Sequence, residues 1–234
     1  AARLGVDQEQ VMLGNGSCEL IDHLVRACLS EGDEALIPVP TFPAYRSAAI
    51  RAGATVVSVP MPDGFYMVEN FLERVTSRTR LVMIGTPHNP TGTILGEKEL
   101  EQLIEGLPER VWVLIDEAYI DYVPEGDMAD ALAWIAKGRN VVVLRSLSKV
   151  HGLAGLRIGY GVASEDVIHA LEKARQPFNV NRLAQEAAIA ALDDDAFVRR
   201  SRRLFRRSRS YIEDACRELG LDYVRSFTNF MLIR

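Results

Sequence analysis

The chain has 234 residues, 48% of them hydrophobic, so it can bury one sizeable core or about one and a half domains. Its 27 basic and 32 acidic side chains give a net charge of −5, which argues against a nucleic-acid scaffold and favours a soluble protein. No apolar run reaches membrane-spanning length, and residues 1–10 lack the apolar core of a signal peptide. Cys18, Cys28 and Cys216 are widely spaced and odd in number, which excludes a zinc motif or disulfide framework and favours a reducing cytoplasm.

Apolar runs of strand length alternate with amphipathic stretches along most of the chain. The runs are continuous and rich in Val, Ile and Leu, which is typical of strands covered on both faces. Their alternation with helices predicts an α/β fold, with a mostly parallel sheet and helices on both faces. The predicted strands are residues 34–39, 55–60, 80–85, 111–116, 140–145 and 157–163, and the predicted helices are residues 18–30, 43–53, 96–107 and 127–138.

From residue 165 onward the pattern is helical only, and it contains a cluster of arginines. Residues 165–176 and 183–194 predict two helices that lead into a long one over 193–220. The arginines raise the alternative of a nucleic-acid site, but the apolar residues of the long helix recur on one face with the arginines opposite. We therefore expect a solvated amphipathic helix and no nucleic-acid or membrane partner. The apolar face comprises Phe197, Leu204, Phe205, Tyr211, Ile212, Ala215 and Leu219.

The sequence GNGS, residues 14–17, precedes the first predicted helix. The backbone amides of Ser17 and Cys18 would point out of the helix N-terminus, which is a favourable position for an anion. A glycine turn followed by a capping serine is an equal alternative at this point. The motif matches neither the dinucleotide nor the P-loop glycine pattern, which disfavours both nucleotide folds.

Two polar loops follow predicted strands in the middle of the chain. Asp116 ends a buried strand in the sequence DEAY, where a carboxylate needs a partner; capping of the next turn is the alternative to a ligand. Asn89 lies in HNPTG, a turn whose conformation Pro87 and Pro90 restrict. We interpret His88 as a substitution within this loop, not as a catalytic base.

Lys149 has the clearest chemical implication. The chain has four lysines against twenty-three arginines, and Lys149 alone among the lysines stands between small and apolar residues. A desolvated lysine has a lowered pKa, so its amine can act as a nucleophile and form a Schiff base. A lysine that extends its amine from a strand end into solvent is the alternative.

The segment SLSKVHGLAGLRIGY, residues 146–160, resembles the lysine signature of the class I and II aminotransferases, which carry pyridoxal 5′-phosphate. GNGS, PTF, HNPTG, DEAY and SLSK occur at family-like intervals over nearly the whole chain. The segments NGSCELI, DEAYIDY, GLAGLRIGY and PFNVNRLAQ are most similar to the histidinol-phosphate branch of that family. The resemblance implies an aspartate-aminotransferase-like large domain, in which residues 157–163 form an antiparallel strand.

The resemblance also implies roles in a cofactor site. Lys149 would hold the cofactor aldehyde and shuttle a proton, Asp116 would pair with the ring nitrogen, and Tyr119 would contact the phenolic oxygen. Asn89 would contact the same oxygen, and Phe42 would stack on the ring, with a core phenylalanine as the alternative. The remaining cofactor-binding residues would surround the phosphate: Gly16, Ser17, Cys18, Ser146, Ser148 and Arg157.

The same resemblance divides the chain. It implies that residues 1–178 are a pyridoxal-phosphate-binding large domain without its N-terminal arm, and that residues 179–234 are linking helices and the truncated start of a smaller C-terminal α+β domain. Turn-like residues 178–181 fit this boundary. The sequence stops inside an apolar run over residues 227–234 that predicts a strand, so we expect a piece of a longer protein, truncated at both ends. The full-length protein is expected to be a homodimer, since sites in this family borrow groups from the other subunit.

The implied activity is transamination of L-histidinol phosphate with 2-oxoglutarate, giving imidazole-acetol phosphate and L-glutamate in histidine biosynthesis. An aromatic amino-acid aminotransferase and a threonine-phosphate decarboxylase use the same core residues and stay open. Arg234 does not match the carboxylate-binding arginine of the family, so the groups that choose the amino donor are largely absent. A cofactor-binding fragment without turnover is the non-enzymatic alternative.

A hydrolase is a further alternative from a different class. Ser146 to Lys149 also match SxxK, the acylating motif of penicillin-binding proteins. Those enzymes need SDN and KTG motifs, and neither string occurs in the sequence. The hydrolase interpretation is therefore rejected.

Overall fold

The apolar runs of the sequence form the centre of the molecule. The computed structural model describes residues 1–124 and 126–234, and within them seven strands make one sheet. These strands are β1 (Val11–Gly14), β2 (Glu34–Val39), β3 (Thr55–Pro60), β4 (Thr79–Gly85), β5 (Trp112–Asp116), β6 (Val141–Ser146) and β7 (Gly159–Val162). Their order across the sheet is β1-β7-β6-β5-β4-β2-β3.

The pairing of the strands confirms the predicted sheet. The five neighbouring strands β3, β2, β4, β5 and β6 are parallel. Strand β7 runs antiparallel to both of its neighbours, β6 and β1. Residues 34–39 and 55–60 form strands with the predicted bounds, whereas residues 157–163 form a shorter strand, Gly159–Val162. Strand β1 was not predicted, because a strand of four residues that ends in glycine carries little pattern of its own. This strand is held by its register with β7, in which Leu13 faces Tyr160.

Eight α-helices lie among the described residues. They are α1 (Ser17–Cys28), α2 (Pro43–Arg51), α3 (Val68–Leu72), α4 (Glu97–Gly106), α5 (Leu132–Ala136), α6 (Glu165–Ala174), α7 (Arg182–Asp193) and α8 (Asp195–Leu219). The predicted helix over residues 127–138 was wrong in length. The carboxylate of Asp130 accepts hydrogen bonds from the backbone N–H groups of Leu132 and Ala133, so the helix begins only after it. Gly138, in a left-handed conformation with φ 72°, follows its end.

Helices cover both faces of the sheet, as predicted. Successive residues of β4 alternate between the two sides, with Leu81 and Met83 on one and Val82 and Ile84 on the other. Buried residues of α1, α2 and α6 pack on the first side, and those of α3, α4 and α5 pack on the second. Burying each large aliphatic side chain stabilises the fold by roughly 1.5–3 kcal/mol. The sheet is therefore a rigid platform whose carboxyl-terminal edge can hold a site.

The C-terminal part differs from the prediction in two places. The predicted strand over residues 227–234 is reduced to β9 (Leu232–Ile233), which pairs antiparallel with β8 (Tyr223–Val224). The preceding residues form no strand because the hydroxyls of Ser226 and Thr228 accept hydrogen bonds from nearby backbone N–H groups. The apolar face of α8 is only partly covered by the described residues: Leu204, Tyr211 and Leu219 are 66%, 76% and 72% exposed.

None of the helices in residues 1–124 and 126–234 is both long and apolar enough to cross a membrane.

Candidate active site

A cavity of about 260 Å³ opens at the carboxyl-terminal edge of the sheet. Gly85, Asp116 and Ser146, the last residues of β4, β5 and β6, all line it. Parallel strands bring the loops that follow them to one edge, which is where open α/β sheets bind ligands. The sequence-predicted residues that line this cavity are Ser17, Cys18, Phe42, Asn89, Asp116, Tyr119, Ser146, Ser148, Lys149 and Arg157.

One end of the cavity is acidic. The side chain of Asp116 lies on the α1 and α2 side of the sheet and is only 5% exposed. Its Oδ1 accepts a hydrogen bond from the backbone N–H of Ala118 at 3.1 Å, and its Oδ2 accepts one from the Tyr45 hydroxyl at 3.0 Å. Burial raises the pKa of Asp116 to about 6, although both hydrogen bonds and the charge of Lys149 oppose the shift. A cationic or N–H donor in the cavity would relieve this desolvation.

Another part of the cavity lining carries groups that can hold an anion. Gly16 is the N-cap of the 12-residue helix α1, with φ 78°, and Ser17 begins the helix. A Cβ on Gly16 would collide with the guanidinium of Arg157, so only glycine allows this close approach. Gly16 itself does not line the cavity but lies against Arg157, which does, while Ser17 and Cys18 line it. The helix N-terminus adds partial positive charge to that of Arg157.

The turn after β6 holds the remaining polar groups of this end. The backbone N–H of Ser148 donates to the hydroxyl of Ser146 at 3.1 Å, which orders the loop. Arg157 adopts a left-handed conformation with φ 58°, and its guanidinium donates to the carbonyl of Ala154 at 2.9 Å. Ser146, Ser148 and Arg157 line the cavity together with Ser17 and Cys18 of α1. Such a set of donors suits a phosphate group.

Lys149 lines the same cavity as Asp116 and Arg157. Its Nζ is 5.0 Å from the ring centroid of Tyr119. Lys149 also borders a second cavity, of about 390 Å³, whose lining includes Phe205 and Ile212 of α8 together with Phe230. Lys149 therefore borders two cavities, one at the sheet edge and one beside α8.

The HNPTG loop separates its two polar residues. Asn89 lines the cavity, whereas His88 is 0% exposed and its Nδ1 is 2.8 Å from the hydroxyl of Thr91. The ring of His88 meets Tyr66 edge-on, with centroids 5.3 Å apart. Burial lowers the pKa of His88 to about 4, so the imidazole is neutral near pH 7. Its contacts are those of a side chain that shapes the loop.

Tyr45 and Phe230 were not predicted from the sequence as site residues. Tyr45 lies one helical turn after Phe42, and this spacing could have indicated it as a neighbour of the site. Phe230 approaches Tyr119 from a segment far along the chain, and no local pattern points to this contact. Among residues 1–124 and 126–234, no group of three or more His, Cys, Asp or Glu side chains is placed to hold a metal ion.

Comparison with known proteins identifies the family. The model of the family "Aminotransferase class I and II" matches residues 1–234. The chain belongs to this aminotransferase family. Curated relatives include the histidinol-phosphate aminotransferases of Anoxybacillus flavithermus and Moorella thermoacetica, 41% and 42% identical over the whole chain. The chain spans 63% and 61% of the length of these two aminotransferases.

Solved structures of aminotransferases share the fold. The histidinol-phosphate aminotransferase of Sinorhizobium meliloti, solved in complex with pyridoxal-5′-phosphate, matches 100% of the chain with a TM-score of 0.94 and 29% identity. The aspartate aminotransferase of Thermus thermophilus with maleate matches 99% of the chain with a TM-score of 0.89 and 26% identity. In both cases the chain covers 63% of the solved structure. The aspartate-aminotransferase-like sheet expected from the sequence is thereby confirmed.

Proposed function

We propose that this chain is the larger part of a pyridoxal-phosphate-dependent transaminase. It would convert L-histidinol phosphate and 2-oxoglutarate to imidazole-acetol phosphate and L-glutamate in histidine biosynthesis. The observation that carries the proposal is that Asp116, Lys149 and Arg157 line one cavity. The named activity of relatives 41–42% identical over the whole chain supports the choice of substrate.

The residues of the cavity fit pyridoxal 5′-phosphate at both of its ends. The buried carboxylate of Asp116 suits a protonated ring nitrogen, because a cation relieves the desolvation that raises its pKa. The N-terminus of α1 and Arg157 suit the phosphate. A volume of about 260 Å³ accommodates a molecule with a single aromatic ring. When bound, this cofactor supplies an aldehyde that condenses with amines and a ring that accepts electrons from the α-carbon of the substrate.

The protein's own groups would divide the work. Lys149 would hold the aldehyde carbon covalently until the amino donor displaces it, and its free amine would then move a proton from the donor's α-carbon. Asp116 would keep a proton on the ring nitrogen, so that electrons from the broken C–H bond can be accepted. These two side chains line the same cavity, which is the geometry that both tasks require.

Three further side chains would orient the ring. Tyr119 and Asn89 line the cavity and can donate hydrogen bonds to a phenolic oxygen, and the ring of Phe42 can cover one face of the cofactor. Over a full cycle the amino group passes from L-histidinol phosphate to 2-oxoglutarate. The donor leaves as the ketone, and the acceptor leaves as L-glutamate. Atoms and electrons balance without an external oxidant.

Replacement of Lys149 tests the proposal. In the full-length protein, Lys149→Ala should abolish the borohydride-reducible bond between protein and cofactor and reduce kcat at least a thousandfold. Lys173→Ala, in α6 away from the cavity, is the control and should retain both. Retention of the reducible bond and of turnover by Lys149→Ala would refute the assignment. Rates with L-histidinol phosphate, phenylalanine and threonine phosphate, the last with assay of released CO₂, distinguish the proposed donor from the alternatives.

The proposal includes a cytoplasmic homodimer. The cysteines Cys18, Cys28 and Cys216 are free thiols, which suits a reducing compartment. Analytical ultracentrifugation of the full-length protein tests the dimer, and a fully active monomer would contradict it. The division into a large domain, residues 1–178, and linking helices with the start of a small domain, residues 179–234, also stays a proposal. Limited proteolysis near residues 178–181 would test it.

A further inference from the structure

Tyr45 is a buried side chain at the acidic end of the cavity with no role in the proposed chemistry so far. Its side chain lines the cavity, and the residue is only 2% exposed. Its hydroxyl donates a hydrogen bond to Oδ2 of Asp116 at 3.0 Å. In the proposed function Asp116 keeps a proton on the cofactor's ring nitrogen, and for this its carboxylate must stay ionised. A donor fixed on its carboxylate therefore bears directly on that task.

The fold holds Tyr45 in this place. Tyr45 is in the first turn of α2, which starts at Pro43. The backbone N–H of Tyr45 donates to the carbonyl of Phe42 at 3.3 Å. Its ring meets that of Phe42 edge-on, with centroids 5.7 Å apart. A Cβ at Gly85 would lie 3.1 Å from the Tyr45 hydroxyl. The end of β4 has room for the phenol because Gly85 carries no side chain.

The hydrogen bonds of Asp116 show what Tyr45 contributes. Oδ1 of Asp116 accepts a hydrogen bond from the backbone N–H of Ala118 at 3.1 Å. Oδ2 accepts one from the side-chain hydroxyl of Tyr45. A donor strengthens its bond when the carboxylate is ionised, and the gain is larger in a buried site than in water. With two donors the carboxylate is fixed in orientation, and its remaining acceptor positions are free for a group in the cavity.

We propose that Tyr45 is a positioning residue that acts through Asp116 and keeps the shared proton on the cofactor's ring nitrogen instead of on the carboxylate. The inference rests on the proposed function. Without the hydroxyl, Asp116 becomes more basic and takes a larger share of that proton. The ring would then accept electrons less well, and proton abstraction from the amino donor would slow. Tyr45 also joins Asp116 to Phe42, so one side chain aligns two walls of the cavity.

The test is Tyr45→Phe in the full-length protein loaded with ¹⁵N-labelled pyridoxal 5′-phosphate. The ¹⁵N chemical shift of the ring nitrogen should move toward that of unprotonated pyridine. The cofactor dissociation constant should rise about tenfold, the usual cost of losing a hydrogen bond to a charged group. The value of kcat should fall by a similar factor while the KM for the amino donor changes less than about twofold.

Tyr66→Phe is the matched control. The hydroxyl of Tyr66 also reaches the end of β4, but it donates to the carbonyl of Gly85 at 2.6 Å and not to Asp116. This variant should lose stability without moving the ¹⁵N shift. Incorporation of 3-fluorotyrosine at position 45 preserves the shape and makes the phenol a stronger donor. The 3-fluorotyrosine protein should keep the ring nitrogen protonated to a higher pH. This measurement tests the inference even if Tyr45→Phe folds poorly.

The outcomes separate this inference from the proposed function. If the cofactor binds covalently to Lys149 and the ¹⁵N shift of Tyr45→Phe or of the 3-fluorotyrosine protein equals that of the unaltered protein, the role of Tyr45 is refuted. The proposed function then stands. If the unaltered protein forms no covalent bond with the cofactor, the proposed function itself fails. If Tyr45→Phe and Tyr66→Phe both move the ¹⁵N signal away from that of the unaltered protein by the same amount, the effect is a general structural one. That result would also refute the role of Tyr45.

Discussion

Phe230 meets the ring of Tyr119 edge-on, with ring centroids 5.3 Å apart and planes at 90°. The two residues come from distant parts of the chain, one after α8 and the other after β5. The same C-terminal segment is tied to the HNPTG loop, because the backbone N–H of Phe227 donates to the carbonyl of Gly92 at 2.7 Å. A Cβ on Gly92 would collide with Ser226. The C-terminal segment thus supports two loops of the candidate site from outside the cavity that they line.

Removal of the Phe230 ring should loosen Tyr119. Aromatic pairs of this geometry are worth about 0.5–1.5 kcal/mol beyond their burial, so Phe230→Ala should weaken cofactor binding several-fold. Stopped-flow measurement of cofactor dissociation checks this. Phe227→Ala, in the same segment, is the control and should cost stability without changing the dissociation rate. Equal dissociation rates for Phe230→Ala and the unaltered protein would show that the contact is not needed.

Gly16→Ala should damage the anion-binding end of the cavity. The added methyl group would push against the guanidinium of Arg157 and also strain a backbone with φ 78°, so we expect cofactor affinity to fall about tenfold or more. Gly32→Ala is a matched control, because Gly32 has φ 89° but no neighbour within 4 Å of its added Cβ. Both variants should lose about 1 kcal/mol of stability from backbone strain. Titration with pyridoxal 5′-phosphate, followed by fluorescence, should separate them.

Asp116→Asn should stabilise the cofactor-free protein at neutral pH. Burial raises the pKa of Asp116 from its ordinary 3.8 to about 6, so the folded state favours the protonated acid. Its contribution to stability is present below pH 3.8 and is lost as the pH rises through about 6. After allowance for a lost hydrogen-bond acceptor, the variant should gain about 2 kcal/mol at pH 7.5.

Urea unfolding of cofactor-free Asp116→Asn and unaltered protein from pH 4 to 7.5 measures this difference. The gain of the variant should grow between about pH 4 and 6 and then stay constant. The same substitution should weaken cofactor binding, because an amide gives the ring nitrogen no negative partner. A gain that does not depend on pH would show that Asp116 keeps its ordinary pKa.

His88 should give a pH dependence of the opposite sign. Burial lowers its pKa from 6.5 to about 4, so its contribution to stability is present above pH 6.5 and is lost as the pH falls toward 4. His88→Gln should be less stable than the unaltered protein at pH 7, since contacts with Thr91 and Tyr66 are lost. The deficit should shrink by roughly 3 kcal/mol on acidification to pH 4. Urea midpoints at the two pH values give the result, and an unchanged deficit would contradict it.

Most of the sheet followed from the sequence. Continuous apolar runs such as residues 80–85 and 140–145 favour strands that are covered on both faces, and this signal is local. Short elements did not follow. Strand β1 and helix α3 have four and five residues and are held by their neighbours, so their own sequences carry little signal. Helix α8 was predicted from a strong apolar periodicity, but several residues of its apolar face are exposed, so this signal did not predict burial.

The candidate site residues lie in short motifs whose resemblance to the aminotransferase family is visible in the sequence. Asp116 ends β5, and Lys149 and Arg157 lie between β6 and β7. The sequence alone could therefore predict that Asp116, Lys149 and Arg157 meet at one edge of a parallel sheet. The tertiary structure alone decided which side chains support them. Tyr45 and Asp116 are 71 residues apart, and their hydrogen bond depends on how α2 packs against the end of β5. Contacts of this kind arise from the packing of whole elements, which no local pattern of residues encodes.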